Sequence, residues 1–253
     1  TMPPAKPGNA YLNFIASHDG IGLRPAEGLL SDKELATLAE TMVKFGGKIS
    51  SRKSREGNLS PYEINIAAVN AFSGDAEGLD EFSFERFMCA HAIMLGLEGV
   101  PAIYINSFFG TKNDYDRLEK TKINRSINRH RWNKTLLEST LSDKNGSNSR
   151  KFESLKYLIK IRSEQPAFHP NASQYTLQLN KRVFGFYRQS LDRKQTIFCL
   201  SNITKTYHSI SLLDLNIKLS GNWKDLIQKD SLEFNENYLH LKPFQTVWIS
   251  NLY

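Results

Sequence analysis

Hydrophobic positions recur along this chain with two different periods. From Tyr11 to about Gln165, short apolar runs alternate with stretches of helical spacing, the pattern of parallel βα units rather than of a sandwich. Tyr11 to Ser17 reads as a mostly buried strand ending in polar residues. Ser31-Asp32-Lys33-Glu34 has capping-box spacing, and Leu35, Leu38, Ala39, Met42 and Phe45 follow at helical intervals until Gly46 and Gly47 stop the helix. Ser83 can cap a second helix. Its Phe84, Phe87, Met88, His91, Ile93, Met94 and Leu95 are too apolar for one solvated face, so that helix is expected to be largely buried. Gly99 to Ile105 is a second short apolar strand, and Phe152, Leu155, Leu158, Ile159 and Arg162 give a last helix ended by Gln165-Pro166. Between these elements, Lys48 to Ser60 carries bases but no apolar period and reads as a mobile surface loop. Asn106 to Arg129 reads as a long polar connection, and Lys144 to Ser149 as loop.

After Pro166 the period becomes 2. Tyr175 to Leu179, Val183 to Gln189, Thr196 to Ser201, His208 to Leu213, Tyr238 to Leu241 and Thr246 to Ser250 are short strands at regular spacing, which predicts an antiparallel β domain. The boundary falls near 166–170, leaving residues 1–166 as α/β and 167–253 as all-β, with no internal repeat.

Composition narrows the function classes. The 253 residues are 40% hydrophobic and 23% charged, with 15 Gly and 9 Pro, which disfavours disorder and low complexity. The longest apolar stretch, Cys89 to Ile105, is broken by His91, Glu98 and Pro101, so no membrane span of ~20 residues is expected. The net charge of +7 favours anionic partners without choosing among them. Arg117, Lys120, Lys122, Arg125, Arg129, Arg131 and Lys134 cluster with His130 and Trp132, a pattern open to nucleic-acid stacking but read here as a solvated face. Cys89 and Cys199 each lie in an apolar run, as inert packing thiols do, and point to a reducing, cytoplasmic compartment. No Cys/His spacing suits zinc, and Asn113-Asp114-Tyr115-Asp116 lacks the spacing of an EF-hand, so neither metal nor cofactor is expected. The first residues carry no secretory signal pattern, and a Pro-rich lead without an initial Met suggests a processed or partial chain.

The chemistry concentrates at Ser17-His18-Asp19-Gly20-Ile21-Gly22, where a buried strand gives way to a glycine-rich loop. In parallel α/β architectures, active sites are built at the C-terminal ends of strands. His18 and Asp19 are therefore the leading candidates, against the alternative that Asp19 caps the loop and His18 is a satisfied polar residue. Glu98, between a buried helix and a strand, reads as a cap or ion-pair partner rather than a general acid. His91 reads as a hydrogen-bonded core residue.

The stretch Tyr11 to Pro25, with its His-Asp-Gly-Ile-Gly core, resembles the strand-seven motif of the α-amylase superfamily (glycoside hydrolase family 13), in the form of its sucrose phosphorylase and glucosylglycerate phosphorylase group. Gly99-Val100-Pro101-Ala102-Ile103-Tyr104 resembles that family's strand eight, and Gly110-Thr111-Lys112-Asn113-Asp114 the loop behind it. Arg125-Ser126-Ile127-Asn128-Arg129-His130 resembles the group's arginine-rich segment, and Leu241 to Trp248 the end of its C-terminal domain. The resemblance implies the last βα units of a (β/α)8 TIM barrel followed by a C-terminal antiparallel β domain. The family's nucleophile Asp, on strand four, and acid/base Glu, on strand five, would precede this sequence, so the chain is expected to be the C-terminal part of an enzyme and inactive alone.

The same resemblance assigns roles. Retaining glycosyl transfer passes through an oxocarbenium-like transition state with nucleophile and acid/base ~5–5.5 Å apart. Asp19 would be the third carboxylate, stabilising that charge, with His18 beside it. Arg125 would bind the glucosyl unit, paired with an aspartate from the missing half of the barrel. Tyr62 and Glu63 stand where sucrose phosphorylases have a Tyr-Gln pair lining the acceptor site, and Arg52 and Arg55 could hold an anionic acceptor or else form a solvated loop. Glu63 together with Leu23-Arg24-Pro25 favours glucosylglycerate or sucrose 6-phosphate over sucrose. The implied function is glucose transfer between an α-glucoside and inorganic phosphate. A hydrolase of the same superfamily and a non-catalytic carbohydrate-binding or interaction module remain open. The implied partners are sugar, phosphate, the missing N-terminal part of the barrel and a second copy of the chain in a homo-oligomer.

Overall fold

A computed structural model describes residues 3–6, 8–53, 59–215, 223–228 and 237–252. The chain divides into two compact units, one made of residues 1–13, 88–102 and 155–253 and the other of residues 14–87 and 103–154.

In the first unit, the strands Leu12–Asn13 and Val100–Pro101 pair in parallel. The remainder is antiparallel, as the period of 2 predicts. Val183–Gln189 and Thr196–Asn202 form the centre of a five-stranded sheet flanked by Ser173–Thr176, Thr246–Ser250 and Lys224–Asp225. His208–Ser211 pairs with Tyr238–Leu241 in a second sheet. Val183, Phe198, Leu200, Ile210, Leu241, Val247 and Ile249 pack into one buried cluster, so alternate strand positions meet in a dry interior. Two arginines tie this unit together through backbone carbonyls. Arg188, fully buried, donates to Gly96, His169 and Ala172 at 2.8, 2.8 and 3.2 Å. Arg162 donates to Leu95, Gly99 and Phe168. Leu95 and Gly96 end the helix Ser83–Gly96, where unpaired carbonyls and the negative end of the helix dipole both favour a cation.

The second unit holds the helix Asp32–Lys44, whose capping box forms as the sequence predicts. Its apolar face packs on a three-stranded antiparallel sheet in which Leu59–Asn65 lies between Ile21–Gly22 and Lys48–Lys53. Ile64, with Ile21 and Ile49 as cross-strand partners, joins Leu23, Met42 and Phe45 in the core.

Several elements differ from the sequence reading, among them the expected strand Gly99 to Ile105, of which only Val100–Pro101 pairs while Ile105 opens a helix. Lys48 to Ser60 is not wholly loop, because Lys48–Lys53 forms an edge strand, anchored by Ile49, whose other residues are polar. Asn106 to Arg129 contains the helices Ile105–Phe108 and Tyr115–Thr121 and a 3-10 turn at Asn124–Asn128. Asp114 caps the second of these by accepting the Arg117 N–H, a signal that the charge-rich composition masked. The last helix begins at Ser147, inside the expected loop, and Lys134–Ser142 is a further helix, capped by Asn133. Only Leu12–Asn13 of the expected Tyr11–Ser17 strand pairs in a sheet.

Candidate active site

Ser17 and Gly20 exchange backbone hydrogen bonds of 2.9 and 3.1 Å, leaving His18 and Asp19 at the tip of a two-residue turn. Gly20 has φ +120°, and a Cβ there would lie 2.1 Å from the Ile64 carbonyl oxygen, so no other residue fits without displacing backbone. The Ser17 hydroxyl accepts the Asp19 N–H at 3.1 Å. Three side chains from other segments then fix three successive carbonyls. Asn128 Nδ2 donates to Ser17 at 3.0 Å, Arg129 Nε to His18 at 3.0 Å and Asn65 Nδ2 to Asp19 at 2.8 Å. The turn is thus built from its own backbone and held from three sides.

Its carboxylate meets two guanidinium groups and an imidazole at one oxygen. Asp19 Oδ1 lies 2.5 Å from Arg129 Nη2, 3.2 Å from His18 Nε2 and 3.4 Å from Arg125 Nη1. Among the described residues, Asp19 Oδ2 accepts no hydrogen bond. The side chain keeps 28% of its exposure, so one oxygen is fixed and the other can meet a ligand.

Arg125 couples this turn to the sheet. Its Nε and Nη2 each donate at 2.9 Å to the two oxygens of Glu63, a bidentate fork of the strongest kind available to a side chain. That fork holds the guanidinium above its ordinary pKa, against the partial desolvation that opposes it. Period 2 along Leu59–Asn65 turns Ile64 to the core and places Glu63 and Asn65 on the other face. Asn65 donates to Glu63 Oε1 at 2.6 Å and accepts from the Ser50 hydroxyl at 2.6 Å. Glu63 is buried, so its charge rests on this satisfied network.

The structure therefore brings together His18, Asp19, Glu63 and Arg125. Arg125 reaches Glu63 and Asp19 from within this chain, where the resemblance implied a partner from the missing half of the barrel. Tyr62 adjoins Glu63 on the strand, and its carbonyl accepts the Leu23 N–H at 2.9 Å. Arg52 pairs with Glu27 at 3.1 Å, both half-exposed, and Arg55 lies outside the described residues. Sequence reasoning missed Arg129, Asn65 and Asn128. Arg129 stood inside a run of bases, and only its place in Arg125-Ser126-Ile127-Asn128-Arg129 marked it. Asn128 is buried, and its Oδ1 has no partner among the described residues. No group of His, Cys, Asp and Glu among the described residues could hold a metal ion, and no described helix is long and apolar enough to cross a membrane.

No protein-family model matches the chain. It is 34% identical over 249 residues to the glucosylglycerate phosphorylase of Escherichia coli K12, covering 98% of this chain and 42% of that protein. It is 30% identical over 118 residues to the sucrose phosphorylase of Streptococcus mutans, covering 46% of this chain and 23% of that protein. Among solved structures, sucrose 6F-phosphate phosphorylase from Thermoanaerobacter thermosaccharolyticum superposes with a TM-score of 0.62 at 23% identity, over 76% of this chain and 36% of that one. The chain thus spans less than half the length of the relatives it matches.

Proposed function

We propose, for a chain homologous to the glucosylglycerate and sucrose phosphorylases of the α-amylase superfamily, that the His18–Asp19 turn is the glucosyl-holding part of a retaining phosphorylase site. The observation that carries this is the state of Asp19: Oδ1 is held by Arg129, Arg125 and His18, and Oδ2 has no hydrogen-bond donor among the described residues. A carboxylate so held is preorganised to accept sugar hydroxyls and to stabilise positive charge developing at the anomeric carbon, with no reorganisation at the moment of reaction. Each hydroxyl donates, Oδ2 accepts, and the bonds strengthen as the ring becomes cationic. Asn128 Oδ1 is a second buried acceptor without a partner among the described residues.

Residues 1–166 would be the final βα units of a (β/α)8 barrel and 167–253 its C-terminal β domain. The nucleophile and acid/base would come from chain outside these 253 residues. The parallel pair supports this reading, since parallel strands ordinarily lie buried on both faces, yet Leu12 is 64% and Val100 45% exposed. The acceptor favoured is glycerate. The likeness to glucosylglycerate phosphorylases reaches 32% and 34% identity along 98% of the chain, against 27% to 30% along 46% to 68% of it for sucrose phosphorylases.

The test is a chimera in which this chain replaces the matching segment of the E. coli enzyme, assayed for phosphorolysis of glucosylglycerate. Activity in the chimera, absent from the 253-residue chain alone and from the Asp19→Ala chimera, is the expected result. Phosphorolysis by the isolated chain would overturn the division of catalytic groups. A folded chimera that binds sugar but never turns it over would favour a binding module.

A further inference from the structure

Apart from the Asp19 cluster, the unit of residues 14–87 and 103–154 contains a second open cavity of about 470 Å³ whose lining includes Lys44, Lys112, Ser147 and Lys151. It shares no lining residue with the Asp19 cluster. Lys151 is unusual in it. The side chain is only 4% exposed, and its stem lies over Gly110, where a Cβ would come within 3.1 Å of Lys151 Cδ. Among the described residues its ammonium donates only to Ser147, at 2.5 Å to the hydroxyl and 3.4 Å to the carbonyl. No carboxylate among the described residues pairs with it. The one acid lining the cavity, Asp80, is engaged by Arg86 at 2.6 Å.

Three effects act against a charge at this place. Burial disfavours the ammonium, and Lys112 and Arg150 repel it; together they lower its pKa. Lys151 also sits in the second turn of the helix Ser147–Ser163, near the positive end of the dipole, where anions are favoured and cations are not. A lysine retained under all three, with one N–H unspent, is arranged to meet an anion. Lys112 and Lys44, both exposed, bring two more ammonium groups to the same space.

We propose that this cavity is a binding site for a phosphate group, free or esterified to a small metabolite. The ligand would accept from Lys151 Nζ and Lys112 Nζ while the Ser147 hydroxyl helps to hold Lys151, and it would relieve the repulsion between Lys151 and Lys112. Lys is suited to this as a compact charge with rotatable donors.

Calorimetric titration of the 253-residue chain with inorganic phosphate and with glycerol 3-phosphate, glycerol serving as neutral control, tests the proposal. Saturable binding of a phosphate probe is expected, weakened about tenfold or more in Lys151→Met and in Lys112→Gln and unchanged in Arg131→Gln, an exposed base away from the cavity lining. Lys112 is exposed, so its variant reports on binding even if Lys151→Met fails to fold. Tighter binding of the ester supports the site with a metabolite as its ligand, and equal binding supports inorganic phosphate. Absence of saturable binding, or a loss in Arg131→Gln with none in the lysine variants, would overturn it.

Discussion

Two residues show how the local setting of a charge decides its use. Asp19 has Oδ1 held and Oδ2 without a hydrogen-bond donor among the described residues, and in the proposed role its charge would act mainly when the bound sugar turns cationic. In the active chimera, Asp19→Asn is expected to leave KM within a few-fold and lower kcat by orders of magnitude; an equal loss in both would reassign it to ground-state positioning. Lys151 is the opposite case, a cation with its pKa depressed by burial and by Lys112 and Arg150. Between that lowered value and the ordinary one near 10.5, the unfolded chain holds a proton that the folded chain has released. Folded stability therefore rises with pH across that window. Urea titrations without phosphate are expected to show the wild type gaining on Lys151→Met as pH climbs towards 10.5. At this scale His18, Asp19, Glu63 and Arg125 were legible as site candidates. Asn65 and Asn128 were not, because an asparagine that holds a carbonyl from a distant segment leaves no local pattern. Lys151 was invisible for a related reason: its lack of a counter-charge is a property of packing.

Among the elements, those with a strong period or a cap were readable. The helix Asp32–Lys44 announces itself through Ser31 and Glu34, Val183–Gln189 through alternation, and Thr246–Ser250 through a short β-branched and aromatic run that is buried throughout. The strand Lys48–Lys53 was not readable, since its backbone pairing with Leu59–Asn65 does the work that apolar side chains do elsewhere. That strand matters, because its Ser50 orients Asn65 behind the site. The end of the helix Ser83–Gly96 depends in turn on a residue far along the chain. Burial lowers the Arg188 guanidinium to about 10, yet its donors meet carbonyls of Gly96, His169 and Ala172. Arg188→Met would keep the bulk and strand those acceptors, so a loss of about 3–5 kcal/mol is expected in urea unfolding. A loss below about 1 kcal/mol would mean that water takes over the carbonyls.

For the whole molecule, the +7 charge and the Asp19 network bear on one remaining choice, the acceptor. Asp19 and Glu63 carry two negative charges, and Arg125 and Arg129 carry two positive ones, so the cluster is balanced before any substrate arrives. Arg52, half-exposed and paired among the described residues with the half-exposed Glu27, is bound weakly enough to be recruited by an anion, since exposed pairs contribute little. If Arg52 serves the acceptor, an acidic one would be drawn by its charge and would feel ionic strength, whereas a neutral sugar would not. With glucose 1-phosphate as donor, the active chimera is expected to use glycerate faster than fructose or fructose 6-phosphate. Added salt should raise KM for glycerate and leave that for fructose nearly unchanged, and Arg52→Gln should reproduce part of the salt effect at low ionic strength. Fastest transfer to unphosphorylated fructose, with no salt dependence for glycerate, would remove the case for an acidic acceptor and return the chain to the sucrose-using side of its group.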